Sequence, residues 1–312
     1  MKKLFLIKNP YLFQGEKYFK TNKNYFEGWY FKTTNNKKGI SFIPGINLNK
    51  QHKKAFIQVI TDNSSYYVNY PIDEFIFNHK PFYIKIGNNY FSKDKIHIDI
   101  KDKKQNLKVF GDIEYSESIN IKSNIMGPFS YISFMECNHA IISMKSKANG
   151  LITINNTNIN FHNDIGYIEK DWGTSFPKTY IWCQANNFPN SNASFMISVA
   201  DIPFKFFYFK GIICSLMINN KEYRFATYNN TKLKKYVVDA NTINITLTKG
   251  KYSINVKSKP TTGLKLIAPV KGHMNKDIIE SITTEVDIVL KKRNKIIFRG
   301  TSKNCGLEIV HK

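Results

Sequence analysis

Apolar residues recur at every second position in nearly all the periodic segments of this chain, and almost nowhere at the 3.6-residue period of a helix. Residues 55–61, 66–70, 95–100, 243–247, 252–256 and 284–290 alternate in this way and read as strands. Turn-forming pairs separate them: Asn35/Asn36, Gly87/Asn88, Asn155/Asn156, Asn219/Asn220 and Lys249/Gly250. No amphipathic run exceeds about three helical turns. The chain is therefore expected to be all-β, a barrel or a sandwich. Its 312 residues suffice for two domains or one large β-structure, and 42% hydrophobic residues with 14% aromatics can fill a core, which excludes wholesale disorder.

One stretch breaks the usual core pattern. Residues 166–188, GYIEKDWGTSFPKTYIWCQANNF, hold Trp172 and Trp182, two of the three tryptophans, with Glu169 and Asp171. At a strand's two-residue period Tyr167, Glu169 and Asp171 share one face, and Tyr180, Trp182, Gln184 and Asn186 share another. A plain core would carry Val, Ile or Leu there, because a buried amide or carboxylate costs a few kcal/mol unless paired. The segment is expected to line a pocket. A boundary near residue 145 would divide the chain into an N-terminal domain, 1–145, and a C-terminal domain, 146–312.

Other segments add candidates. YFEGWYFK, residues 25–32, reads as an aromatic strand in which Gly28 marks a bulge, a close approach, or nothing beyond ordinary packing. Glu136 has Phe134, Met135 and Cys137 as neighbours in sequence, and a carboxylate in such company must be paired or protonated; His139 follows three residues later. The hairpin opening at Phe206 runs to Ile218. In 265–282, Pro269 and Gly272 should interrupt any strand, leaving His273 and Glu280 in a short, helical connection.

The formal charge of +23 suggests nucleic acid, but only Arg224, Arg293 and Arg299 among 46 basic residues are arginine, and the lysines are scattered among asparagines. Nucleic-acid readers rely on the arginine fork, so no nucleic-acid partner is expected. An anionic membrane surface remains a possible peripheral contact. Cys137, Cys183, Cys214 and Cys305 form no CxxC pair and read as free thiols of a reducing compartment. MKKLFLIKNP lacks the apolar length of a signal peptide, and no window approaches 18 apolar residues, so a cytoplasmic protein, soluble or peripheral to the membrane, is expected. Neither GxGxxG, a Walker loop nor GxSxG is present, and the seven histidines form no HxH or HExxH. No cofactor and no metal are therefore expected. Carboxylates and aromatics are the chemistry left, a combination suited to protonating an oily substrate and stabilising the resulting cation.

FEGWYFK, MECNH, the 166–188 stretch and LIAPVKGHMNKDIIES, with GLEI near the end, resemble in that order the tocopherol cyclase family and its bacterial relatives, from about residue 10 to the C-terminus. The resemblance implies two lipocalin-like β-barrel or β-sandwich domains packed side by side. It also implies proton-initiated ring closure of a prenylated quinol or another isoprenoid lipid. The positions matching the motifs are Glu27, Trp29 and Tyr30, then Glu169, Asp171, Trp172, Trp182, Gln184 and Asn186. On this reading Asp171 or Glu169 is the acid, held neutral by desolvation, with Glu136 second. Trp29, Trp172 and Trp182 offer ring faces to the cation, Gln184 and Asn186 orient the phenol, and Tyr30, His139, Tyr180, Glu27 and Glu280 complete the binding site. The alternative is a lipocalin-like carrier that holds the same hydrophobic ligand without chemistry. The oligomeric state stays open.

Overall fold

The asparagine pairs turn the chain as their chemistry allows. Asn155 and Asn156 have φ of 45° and 71°, and Asn219 and Asn220 of 46° and 63°, the left-handed pair that a tight hairpin needs and that Asn tolerates. Long antiparallel hairpins result. The structure is a computed structural model that describes residues 2–132, 135–189, 191–204 and 207–311; Phe134 and Phe206, named above, lie outside the described residues. Two units emerge, one holding the chain to Phe176 together with Leu266–Asp277, the other Pro177–Lys265 and Ile278–Lys312.

The first unit follows a short helix, Lys2–Lys8, with β1 (Tyr25–Thr34), β2 (Gly39–Leu48), β3 (Lys53–Thr61), β4 (Ser65–Pro71), β5 (Phe75–His79), β6 (Phe82–Ile86), β7 (Asn89–Ser92), β8 (Lys95–Asp102), β9 (Leu107–Ile119), β10 (Cys137–Ile154) and β11 (Thr157–Gly173). They form one sheet in the order β4-β3-β2-β1-β11-β10-β9-β8-β7-β6-β5. The edge strands β4 and β5 are consecutive, separated by a single 3-10 turn at Ile72–Glu74, so the sheet curls until its edges nearly meet. Gln105, in the β8–β9 turn, completes the closure. Its amide donates to the Tyr67 carbonyl at 2.9 Å and accepts from the Tyr67 N–H at 3.4 Å, standing in for a missing strand. Trp29, Phe31, Phe42, Ile57, Ile84, Phe91 and Ile168 belong to the core of this barrel. Residue 145 lies within β10, so the strand runs unbroken through the position where a domain boundary was expected.

The second unit holds β12 (Tyr180–Ala185), β13 (Ala193–Phe204), β14 (Phe207–Ile218), β15 (Lys221–Ala226), β16 (Lys232–Val238), β17 (Ile243–Lys249) and β18 (Tyr252–Ser258). The chain then continues into β19 (Leu264–Val270), β20 (His273–Lys292) and β21 (Lys295–Val310). The order is β15-β14-β13-β12-β21-β20-β18-β17-β16, with β19 on β20. The edges β15 and β16 are again consecutive across one 3-10 turn, Thr227–Asn229. Ile181, Ile197, Ile245, Ile254, Val256, Ile288 and Leu290 are among its core residues.

Residues 265–282 depart from expectation. No helix forms there: β19 and β20 make a hairpin that turns at Lys271 and Gly272, both at positive φ (48° and 73°). Pro269 sits within β19, which lies off the main sheet path and so can spare a backbone donor. Gly28 is also plainer than expected. It keeps regular register with Gly45 and Asp171, and an added Cβ would meet nothing nearer than 3.7 Å, so neither bulge nor close approach occurs.

Candidate functional site

Alternation along β11 sorts the motif residues onto two faces. Ile168, Lys170 and Trp172 turn toward the barrel core, while Tyr167, Glu169 and Asp171 turn away from it. On β1, Tyr25, Glu27, Trp29 and Phe31 face the core in the same way.

Inside the barrel Glu27 and Lys170, both fully buried, pair at 2.5 Å. Every remaining bond of the pair is made locally. Lys170 Nζ donates to the carbonyls of Pro10 (2.8 Å) and Leu12 (2.5 Å), and Glu27 accepts from the Gln14 N–H (2.9 Å) and the Tyr25 hydroxyl (2.6 Å). Trp29 Nε1 donates to the Tyr11 carbonyl at 3.0 Å. The pair thus staples residues 10–14 into the barrel. Burial pulls the Lys170 ammonium down to about 8 against the pull of Glu27. Its Nζ lies 4.5 Å from the Trp172 ring and 5.0 Å from that of Trp29. Two of the three indoles expected to face a substrate cation, Trp29 and Trp172, therefore already face an ammonium on the core side of the sheet.

The opposite face carries the chemistry. Register sets His139 of β10 directly across from Asp171, while Glu169 lies between Ile141 of β10 and Tyr30 of β1. His139 Nδ1 is 2.8 Å from Asp171 Oδ1, and His139 Nε2 is 3.4 Å from Glu169 Oε2. The Tyr167 hydroxyl donates to Glu169 Oε2 at 2.5 Å, and the Tyr30 ring meets the Tyr167 ring edge-on at 6.5 Å. Burial opposes a charge on His139, but the carboxylates of Asp171 and Glu169 outweigh it and push the imidazole up to about 9. The ring is therefore an imidazolium at neutral pH, held between two acids. Burial, then Glu169, raises Tyr167 well above an ordinary phenol, so it remains a donor. Asp171 is the accessible member: its side chain is 26% exposed, against 9% for His139 and 5% for Glu169.

Ligand atoms of these three residues lie within 4.8 Å of one another, close enough to grip a metal ion. The two carboxylates hold a proton on the imidazole, and a metal ion would have to displace it.

Glu136 is an exception to the sequence reading. It is exposed and precedes β10; its backbone carbonyl, accepting from the Thr174 and Ser175 N–H groups, is its structural contribution. An exposed carboxylate needs neither the pairing nor the protonation that apolar surroundings would demand.

In the second unit Tyr180, Trp182 and Gln184 share the face of β12 turned away from that unit's core, as alternation predicts. Trp182 stands opposite Glu308 of β21, which in turn stands opposite Glu280 of β20. The Tyr180 hydroxyl donates to Glu308 at 2.6 Å. Gly306 leaves room for the indole, since a Cβ there would come within 2.6 Å of the Trp182 ring. Glu280, Gln184 and Asn186 are buried. Glu308 and Tyr167 escaped the sequence reading as site residues; Tyr167 was legible as the same-face partner of Glu169, and Glu308 lies in the GLEI motif near the end of the chain.

Residues 106–310, more than half of the chain, match the Tocopherol cyclase-like family. The chain belongs to that family. Solved structures share the fold of this Tocopherol cyclase-like protein at low identity. Kievitone hydratase from Nectria haematococca is 13% identical with a TM-score of 0.52, over 92% of this chain and 89% of that one. A putative AttH from Nitrosomonas europaea is 10% identical with a TM-score of 0.51, over 96% and 98%. CghA in complex with Sch210972 is 9% identical with a TM-score of 0.55, over 92% and 88%. These likenesses establish an all-β, lipocalin-like fold. No curated protein sequence matches the chain significantly.

Proposed function

We propose that this Tocopherol cyclase-like protein is a cofactor-independent enzyme that starts cyclisation of a prenylated quinol or another isoprenoid lipid by proton transfer. The observation that carries the proposal is the buried imidazolium of His139 clasped between Asp171 and Glu169. His139 stores the proton and Asp171, the accessible member, delivers it. Transfer across the 2.8 Å contact converts Asp171 to a carboxylic acid. The acid gives its proton to one alkene carbon, whose π pair forms the new C–H bond and leaves a cation on the neighbouring carbon. Neutral His139 then stands beside two carboxylates, and that net negative charge stabilises the cation. The phenol oxygen closes the ring with a C–O bond, and its proton returns through Asp171 to His139. The substrate is isomerised with nothing consumed.

The test incubates the full chain with a panel of prenylated hydroquinones in D2O and looks for cyclised product carrying one carbon-bound deuterium. Asp171→Asn and His139→Gln should each slow conversion by about 10²–10⁴-fold, the usual contribution of a positioned acid. Glu136→Gln, on the exposed residue, should leave it unchanged. Full activity in both site variants would overturn the assignment. Lipid that co-purifies and is recovered chemically unaltered would instead favour carriage.

A further inference from the structure

The β13–β14 hairpin is longer than the sheet that holds it. β12 pairs with β13 no further than Tyr180 opposite Ala200, and β15 pairs with β14 no further than Ala226 opposite Ile213. Beyond those points the strands pair with each other, Asp201 with Lys210 through Phe204 with Phe207. They form a two-stranded ribbon that overhangs both neighbours. Such ribbons are marginal in water unless something covers a face. Both faces of this one are aromatic. Phe207 and Tyr208, adjacent and so on opposite faces, are 57% and 59% exposed, among the most exposed large apolar side chains of the chain. Phe204 packs against Phe207 and Phe209 at 5.6 and 6.3 Å, an aromatic cluster where hairpin ends are ordinarily polar.

Charge indicates what fits there. Asp201, the acid on the described part of the ribbon, is neutralised by Lys210 at 2.8 Å. Lys210 in turn lies 4.9 Å from the Tyr236 ring of β16. From Lys232 to Val238 that strand exposes Lys232, Lys234, Lys235 and Val237 and carries no acid. We infer that the described part of the β13–β14 ribbon, residues 201–204 and 207–210, is a docking wedge for an anionic lipid surface, Phe204, Phe207, Tyr208 and Phe209 entering the headgroup boundary and the β16 lysines meeting lipid charge. Aromatic tips that bury their rings while lysines stay at the interface are the chemistry such a boundary selects.

The experiment is co-sedimentation of the full chain with two vesicle preparations, phosphatidylcholine alone and equimolar phosphatidylcholine and phosphatidylglycerol. The protein should pellet with the mixed vesicles, at least about tenfold more tightly than with the neutral ones, and release as salt is raised. The Phe207→Ser/Tyr208→Ser double variant should lose about tenfold in vesicle affinity with an unchanged thermal midpoint. Lys234→Glu/Lys235→Glu should weaken binding to the mixed vesicles alone. The inference is overturned if the wild type binds neither preparation or if the aromatic variant binds as well as wild type. It is also overturned if, without lipid, sedimentation velocity shows a dimer that the aromatic variant dissolves, since the ribbon's partner would then be a second copy.

Discussion

Two sheets in this chain solve the same closure problem but bury charge to different extents. In each, the edge strands are consecutive across one 3-10 turn, β4 and β5 in the first unit, β15 and β16 in the second. The first unit buries Glu27, Lys32, His139, Glu169 and Lys170, whereas the described part of the second buries Glu280 and nearly buries the Glu222 side chain, 6% exposed and paired with Arg224 at 2.6 Å. Apolar residues make up the core cluster of the second sheet, Phe195, Phe225, Ile245, Ile254, Val256, Ile288 and Leu290 among them. The charges of the first unit are an addition to the fold, with two separate uses. Glu27 and Lys170 fasten the N-terminal segment inside the barrel. His139, Glu169 and Asp171 store a proton on the other face of the same strands. Both units also set acids on the face away from the core, but the first places a cation between them while Glu308 receives a phenol hydroxyl.

The most severe way to break this contrast is to remove the interior cation. Lys170→Met leaves Glu27 buried without its partner and should cost about 3–5 kcal/mol of stability in urea titration. Adding Glu27→Gln should restore a large part of that loss, because two neutral groups no longer carry an uncompensated charge. A single variant as stable as wild type would show that the interior charge is solvated, and the difference between the units would vanish.

The proton store gives the next largest effect, and its sign is fixed by the direction of the shift. His139 is raised from 6.5 to about 9 in the folded protein, so the folded state binds the proton more tightly than the unfolded one. Its stabilisation is fully present below about pH 6.5 and is lost as pH rises through about 9. A shift of this size corresponds to roughly 3 kcal/mol. Unfolding free energy measured across that window should fall in the wild type and lose most of that slope in His139→Gln. An imidazole resonance titrating near 6.5 in the folded protein would refute the clasp.

How far the sequence reaches into this contrast is clear from particular residues. Strand alternation and the asparagine turns were legible, as was the shared face of Tyr167, Glu169 and Asp171, because period two is a local property. The same parity sets Trp172 beside Lys170 rather than beside Asp171, so its placement on the core side was readable from the stretch itself. The clasp was not. His139 meets Asp171 only through a register spanning 32 residues, with shifts between Ile141 and Ser143 and again before Ser146, and no local pattern encodes where a bulge falls. Glu136 misled because apolar neighbours in sequence do not by themselves bury a side chain, and this one is exposed. Pro269 misled because a proline excludes a central strand but not a peripheral one.

A smaller effect separates the two outward acid faces. Gly306→Ala places a methyl within 2.6 Å of the Trp182 ring and should cost about 1–3 kcal/mol through overpacking, with a shift in tryptophan emission. Gly28→Ala, opposite Asp171, meets only ordinary contacts and should change stability by less than about 1 kcal/mol. Equal costs at the two glycines would mean that the indole in the second unit has as much freedom as the space beside Asp171.

The mildest expected change lies in how the edges are sealed, and it tests whether the shared topology is also a shared mechanism. In the first unit the Gln105 amide bonds both backbone groups of Tyr67 on β4; in the second the Lys249 ammonium donates to the Arg224 carbonyl of β15 at 2.7 Å. The amide is neutral and bidentate, so its contribution should be indifferent to salt; the ammonium's should weaken as salt screens it. Gln105→Ala should therefore speed hydrogen exchange at the Tyr67 amide by roughly three- to tenfold, equivalent to about 1 kcal/mol of local opening. Global stability should barely move. Lys249→Met removes one of two side-chain bonds to the Arg224 carbonyl, which keeps the 3.2 Å bond from Asn229 Nδ2, and the cost should shrink as ionic strength rises. If exchange at Tyr67 is unchanged without Gln105, the side-chain seal is incidental and the short 3-10 turn alone brings the edges of the sheet together.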